Sequence, residues 1–157
     1  MAEERKIVGV VNFEEKKNER PLNVYGYSKL LFDNVVRRKI LEGSETQIVG
    51  LRYFNVYGPR ESHKGRMASV IFHAFYQIQA NGSMKLFRSH NPEYTDGGQL
   101  RDFVYVKGVV EVCLFLMEEK PTAGIYNLGS GTARTFLDLA TNTFKSLGKE
   151  ADISFID

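Results

Sequence analysis

The feature that most constrains this chain is the alternation of its apolar patterns. From about Val24 to Leu41 apolar residues such as Leu31 and Val35 recur at helical spacing, and the run stops before Gly43, which suits a helix C-terminus. "QIVGLRYF" then reads as a short buried strand. A helix follows from Met67 to about Ala80, with Val70, Ile71, Ala74, Phe75 and Ile78 on one face and Asn81-Gly82 at its end. Next come a strand "MKLFR", a long loop "SHNPEYTDGGQLR", a strand "DFVYV" and a largely buried helix "KGVVEVCLFLMEEK". "GIYNLG" reads as a strand, and "GSGTAR" as a turn into a helix capped by Thr135 with Asp138 three residues on; "ADISFI" closes as a strand. Strand and helix in near-strict alternation predict an α/β fold with a mainly parallel sheet. The 157 residues suffice for one domain, so 1–157 reads as a single domain with a charged, irregular lead-in over 1–20.

Charge narrows the function little: 21 basic against 19 acidic side chains, mostly interspersed, argue for neither nucleic-acid nor membrane binding. No stretch approaches the roughly 20 apolar residues of a bilayer span, and the opening segment lacks a signal-peptide pattern. Cys113 is the sole cysteine and sits in an apolar run as a small buried hydrophobe, so no internal disulfide forms and a reducing, cytoplasmic setting is expected. No metal-ligand spacing is present.

"NVYGYSKLLFD" carries the first candidate chemistry. Tyr25 and Lys29 stand four residues apart at the head of the first helix, so their side chains leave the same face, about 5–6 Å apart at Cβ. An ammonium beside a phenol favours the phenolate, which is the tuning a general acid or base needs. The spacing by itself also suits two ordinary surface-helix residues. Lys64, in the loop with Arg60, His63 and Arg66, reads by itself as a solvated charge. Tyr53, Tyr57 and Tyr126 read as core aromatics with their hydroxyls at a polar edge.

"YGYSKLLFD", "LRYFNVYGPRESHKG", "RDFVYV" and "YNLGSG" occur in an order and spacing that resemble the extended short-chain dehydrogenases acting on nucleotide sugars. The resemblance runs from about Pro21 to the end. "HKG" and "MASVIFH" make it most similar to the ADP-glyceromanno-heptose 6-epimerases, enzymes of lipopolysaccharide core-precursor synthesis. It implies part of a Rossmann-like fold with the substrate-binding subdomain. The implied reaction is removal of hydride from C6 of an ADP-heptose to NADP, with NAD as the alternative, and its return to the opposite face. It also implies a homo-oligomer.

Carried over residue by residue, the resemblance makes Tyr25 and Lys29 catalytic and places both against the nicotinamide ribose. Lys64 becomes the second base, also beside the cofactor. Val56 is implied as a main-chain cofactor contact and Asn55 as a substrate contact. Arg66 stands where relatives often have a serine that meets substrate. His73 matches a substrate-binding histidine, against the plainer reading of a histidine packed between helix and sheet. Phe87, Arg88, Ser89 and His90 match a turn that wraps the nucleotide sugar, and Arg101 matches an arginine that meets the diphosphate with its planar fork of donors.

The chain departs from that pattern in places. No glycine-rich strand–turn–helix is present for the pyrophosphate, so the cofactor half is expected N-terminal to Met1. Residues 1–22 hold no serine or threonine for a third catalytic member, and Gly108 stands where relatives usually have aspartate. After "SFID" the C-terminal helices and a substrate-contacting tyrosine of relatives are missing. An incomplete parallel sheet would expose an edge and favour self-association. Two other readings stand beside the 6-epimerase: a non-catalytic nucleotide-sugar-binding module, and a sugar-nucleotide dehydratase or 4-epimerase, which Lys64 argues against.

Overall fold

The structure, a computed structural model, describes residues 10–12 and 19–157. In chain order the elements are β1 (Val10–Asn12), α1 (Val24–Leu41), β2 (Val49–Tyr53), β3 (Asn55–Tyr57), a 3₁₀ segment (Ser62–Met67), α2 (Val70–Asn81), β4 (Met84–Phe87), β5 (Leu100–Tyr105), α3 (Val106–Glu119), β6 (Gly124–Leu128), β7 (Ala133–Thr135), α4 (Phe136–Ser146) and β8 (Ile153–Ile156). The α/β class expected from the alternation is what forms. Most of the lead-in lies outside the described residues. Within it Val10–Asn12 is a strand rather than irregular chain, because its backbone groups find partners on β6.

The helix ends follow local chemistry. Asn23 caps α1, its Oδ1 accepting the Gly26 N–H at 2.8 Å, and Gly43 follows at φ 82°. Ser69 caps α2 through the Phe72 N–H at 3.1 Å, and Gly82 closes it at φ 72°. That left-handed backbone favours glycine. Thr135 and Asp138 exchange hydrogen bonds of 2.8 and 3.2 Å at the head of α4, the capping box expected there. No helix among the described residues is long and apolar enough to cross a membrane.

The backbone falls into two compact units, the first holding the described residues up to Tyr53 with Gly108–Gly129, the second Phe54–Lys107 with Ser130–Asp157. Three small sheets replace the single sheet expected. The first unit has one, ordered β1-β6-β2, with β2 parallel and β1 antiparallel to β6. Its short strands cannot cover both helices. In α3 only Val109 and Leu116 are buried, while Val110, Leu114 and Met117 lie half or more exposed, so the helix expected there forms but is not largely buried. On α1 only Asp33 and Val36 are buried, and Val24, Leu31, Phe32 and Val35 face solvent. β2 is half-buried rather than buried, with Tyr53 exposed. Cys113 is half-buried, and Tyr126 donates its hydroxyl to the Thr122 carbonyl at 2.6 Å.

The second unit has the sheet β3-β5-β7 and the parallel pair β4-β8. Here lies the main core: Ala74 and Ile78 of α2, Met84 and Leu86 of β4, and Leu139, Ala140 and Phe144 of α4. β4 alternates with period 2, Met84 and Leu86 inward and Lys85 and Phe87 outward. The expected α2 face is only partly buried, since Val70 and Phe75 stay exposed. Lys149 donates to the Ile78 carbonyl at 3.0 Å, satisfying the C-terminal end of α2. Leu100 and Arg101, expected in the long loop, belong to β5.

Phe144 is 1% exposed at the centre of this core. Phe144→Ala is expected to cost about 3–5 kcal/mol, read as a lowered urea midpoint. The same change at Phe87, 68% exposed, should alter stability by no more than about 0.5 kcal/mol.

Candidate active site

The head of α1 presents the first pair as its spacing requires. Tyr25 is 72% exposed, and the Lys29 Nζ stands 5.0 Å from the centre of its ring. The two side chains therefore meet across one helical turn, ammonium over aromatic face. Ser28 turns back to the Tyr25 carbonyl at 2.7 Å and leaves the phenol unobstructed. Among the described residues Lys29 forms no ion pair, so both groups are open to a ligand. A nicotinamide ribose fits such a pair, since its hydroxyls both donate and accept.

One turn further along the same face comes a network that the motif reading missed. Asp33 is buried and accepts from Arg52 of β2. Arg52 also donates to Glu19 at 2.6 Å, and Arg37 donates to Glu19 at 3.0 Å through NH1. Two carboxylates and two guanidiniums thus fix α1 against β2. The Arg37 hydrogen bond pulls the Glu19 carboxyl below its ordinary 4.5, against the upward push of burial, with Arg52 adding to the lowering. Burial opposes the charge on Arg52, yet Asp33 and Glu19 together hold its guanidinium above its usual range. A shallow cleft beside this network is lined by Gly26, Lys29, Leu30, Asp33 and Arg52. Asp33 stands four residues after Lys29, as Lys29 does after Tyr25, and that second interval was the signal available in the sequence. Tyr53, expected in the core, is half exposed; burial and then the Cys113 thiol beside it push its hydroxyl up.

The second unit holds the remaining candidates. Asn55 opens β3 and donates from Nδ2 to the Asp102 carbonyl at 3.1 Å; Val56 is half-buried and paired with Val104 of β5. Residue 58 must be small, because a Cβ there would lie 2.4 Å from Val106 Cγ1. Lys64 sits in the 3₁₀ segment, its Nζ donating to Glu61 Oε2 at 3.4 Å. Arg66 is exposed in the same segment. His73 is exposed on α2, edge-on to Phe72 at 5.6 Å, so the alternative of a histidine packed between helix and sheet does not hold.

Phe87 and Arg88 are exposed, Ser89 is half-buried and His90 exposed. Asp96 organises this turn by accepting the Ser89 N–H at 2.9 Å and Arg88 NH1 at 3.3 Å; Asp157 also lies 3.3 Å from Arg88 Nε. Arg101 is exposed, with its guanidinium 5.9 Å from the Phe136 ring and one N–H on its neighbour's carbonyl. Among the described residues it meets no carboxylate. That leaves its charge available to an anion.

Burial tends to raise the Glu61 carboxyl, but the Ser69 N–H and hydroxyl, the Gly58 N–H and Lys64 outweigh it and hold Glu61 below 4.5. Among the described residues no group of His, Cys, Asp and Glu has the arrangement of a metal site.

Comparison with known proteins gives these features a context. The sequence profile of the NAD dependent epimerase/dehydratase family matches residues 6–129. The chain belongs to that family. A Helicobacter pylori ADP-L-glycero-D-manno-heptose-6-epimerase is 35% identical to it, with a TM-score of 0.75 over 93% of this chain and 43% of the other. The Thermus thermophilus UDP-glucose 4-epimerase, solved with NAD, is 29% identical, with a TM-score of 0.70 over 94% and 47%. A UDP-N-acetylglucosamine 4-epimerase from Methanobrevibacter ruminantium, in complex with UDP-N-acetylmuramic acid, is 28% identical, with a TM-score of 0.74 over 93% and 45%. The chain spans less than half the length of each of these relatives.

Glu19 and Glu61 set an acid limit on this family member's stability. Both titrate below 4.5 when folded, so the folded chain binds fewer protons than the unfolded chain at acid pH. Their contribution is complete above about 4.5 and is lost as pH falls through the lowered values. The urea midpoint is expected to drop on acidification below about pH 4.5, and the drop should be shallower in Glu19→Gln and Glu61→Gln.

Proposed function

We propose that this chain carries the proton-transfer and nucleotide-sugar-binding parts of an epimerase that inverts C6 of an ADP-heptose with a nicotinamide dinucleotide, NADP rather than NAD. The observation that carries the reading is the exposed Tyr25–Lys29 pair, 5.0 Å apart on one helical face and free of competing ion pairs among the described residues. The 35% identity to the Helicobacter pylori heptose 6-epimerase over 93% of the chain supports the choice of sugar over the 4-epimerases. The product serves lipopolysaccharide core synthesis, in the cytoplasm.

A bound nicotinamide dinucleotide supplies hydride acceptance and return. The chain's own residues do the rest. In the first unit Tyr25 exchanges a proton with the reacting hydroxyl while Lys29 stabilises its phenolate and holds the ribose. In the second unit Lys64 serves as the second proton-transfer group, which inversion requires; to act as a base it first gives up a proton, since an ammonium has no lone pair to accept one. Asn55, Arg66, His73 and the turn Phe87–His90 hold the nucleotide sugar, Arg101 meets its diphosphate, and Val56 meets the cofactor through its main chain.

Thermal melting of the chain with NADP, NAD, ADP-ribose and an ADP-heptose tests this. A ligand at a hundred times its Kd stabilises the folded chain by about 2.7 kcal/mol, and NADP and ADP-heptose are both expected to raise Tm. A rise with the ADP-sugar alone would replace this reading by a non-catalytic binding module, and no rise with either would remove it. Lys29→Met should abolish the NADP response and leave that to ADP-heptose.

We further propose that the chain is a homo-oligomer, on the strength of Leu31, Phe32 and Val35 exposed together on α1. Sedimentation should show a dimer or larger species, and Leu31→Glu with Val35→Glu should give the monomer.

A further inference from the structure

Between Gly58 and Ser69 the chain carries four basic residues, Arg60, His63, Lys64 and Arg66, and one carboxylate, Glu61. The four basic side chains lie exposed, whereas Glu61 is 4% exposed. Its Oε1 accepts the Gly58 N–H at 3.1 Å and the Ser69 hydroxyl at 2.8 Å. Its Oε2 accepts the Ser69 N–H at 2.8 Å and the Lys64 ammonium at 3.4 Å. One buried carboxylate therefore ties both ends of the loop to each other and to Lys64.

The backbone in between needs such a tie. Arg60 has φ 66°, and Gly65, next to Lys64, has φ 52° and ψ −127° inside the 3₁₀ segment. At a non-glycine residue such as Arg60 a left-handed backbone persists only where surrounding contacts determine it, whereas glycine adopts one freely. Ser69 is at once the cap of α2 and a donor to Glu61, so the loop inherits the rigidity of the helix that follows. A lysine stem otherwise samples many rotamers and gains little from an exposed ion pair. Here its partner is immobile, held by three other donors.

We propose that Glu61 is the positioning residue for Lys64, presenting its ammonium at one place by closing the loop and by direct contact. The bearing of this on catalysis rests on the reading of Lys64 given above; the tie itself does not. Loss of Glu61 then acts on Lys64 in a way that simple loosening of the core would not.

The test is acetylation of the full chain by acetic anhydride at fixed pH, with the rate at each lysine followed by peptide mass spectrometry. In Glu61→Gln, which keeps the side-chain volume, Lys64 should react about two to five times faster while Lys145 on α4 is unchanged. An unchanged Lys64 rate in folded Glu61→Gln overturns the proposal. Lys64→Met supplies a second measurement that does not depend on Glu61→Gln folding. If Glu61 closes the loop, the Gly58 and Ser69 amides keep their hydrogen-exchange protection when Lys64 is gone; if they lose it, the proposal falls. Faster labelling without any ligand-induced rise in Tm removes the epimerase reading and leaves the role of Glu61 standing, and the opposite pair of results does the reverse.

Discussion

A carboxylate can accept several hydrogen bonds at once, and that capacity organises the loops of this protein. Glu61 gathers the ends of the loop before α2. Asp96 gathers the turn after β4 through the Ser89 N–H and Arg88. Asp102 on β5 accepts the Ser130 and Gly131 N–H groups at 2.8 and 2.9 Å and so fixes the turn before β7. In each case an acidic side chain replaces the backbone partners that a loop lacks. Candidate ligand-binding residues stand beside two of them: Lys64 and Arg66 by Glu61, Arg88 to His90 by Asp96.

The same principle works in the first unit through ions of both signs. Glu19, Arg37, Asp33 and Arg52 form one connected network between α1, β2 and the segment before α1. This gives α1 a polar inner face, which explains how a helix with apolar residues on its outer surface still has a fixed orientation. Its inner side is held by charge pairing and Val36, not by a broad apolar stripe. Tyr25 and Lys29 inherit their direction from that arrangement, being about two turns and one turn before Asp33 on the same helix. The two units thus rest on different physics: an ion network under α1 in the first, and in the second an apolar core between α2, β4 and α4.

Much of the fold was legible because local rules set the ends of elements. α1 runs over the predicted residues because Asn23 can cap it and Gly43 can follow it, and Thr135 with Asp138 forms the capping box their spacing implies. Of the site, the facing of Tyr25 and Lys29 was also legible, since an interval of four on a helix leaves no other arrangement. Glu61, Asp33 and Arg52 were not: Glu61 is closed off by the Gly58 and Ser69 N–H groups as well as by nearby side chains, and backbone donors carry no residue identity, while Asp33 and Arg52 are remote in sequence. Asp33 and Arg52 are 19 residues apart, and only the crossing of α1 over β2 brings them together. The burial of α3 was misjudged for a related reason: an apolar run states what can be buried, while the area of sheet available decides what is.

The sequence by itself determined the α/β class, the positions of the caps and turns, and the family, because each depends on short intervals and on residue types with strong local preferences. Tertiary structure alone decided that the strands divide among three small sheets, that His73 faces solvent, and that the Lys64 ammonium rests on a buried carboxylate. Those outcomes depend on which surfaces meet. Burial and ion pairing are properties of a finished arrangement in space, with the neighbours supplied by distant parts of the chain.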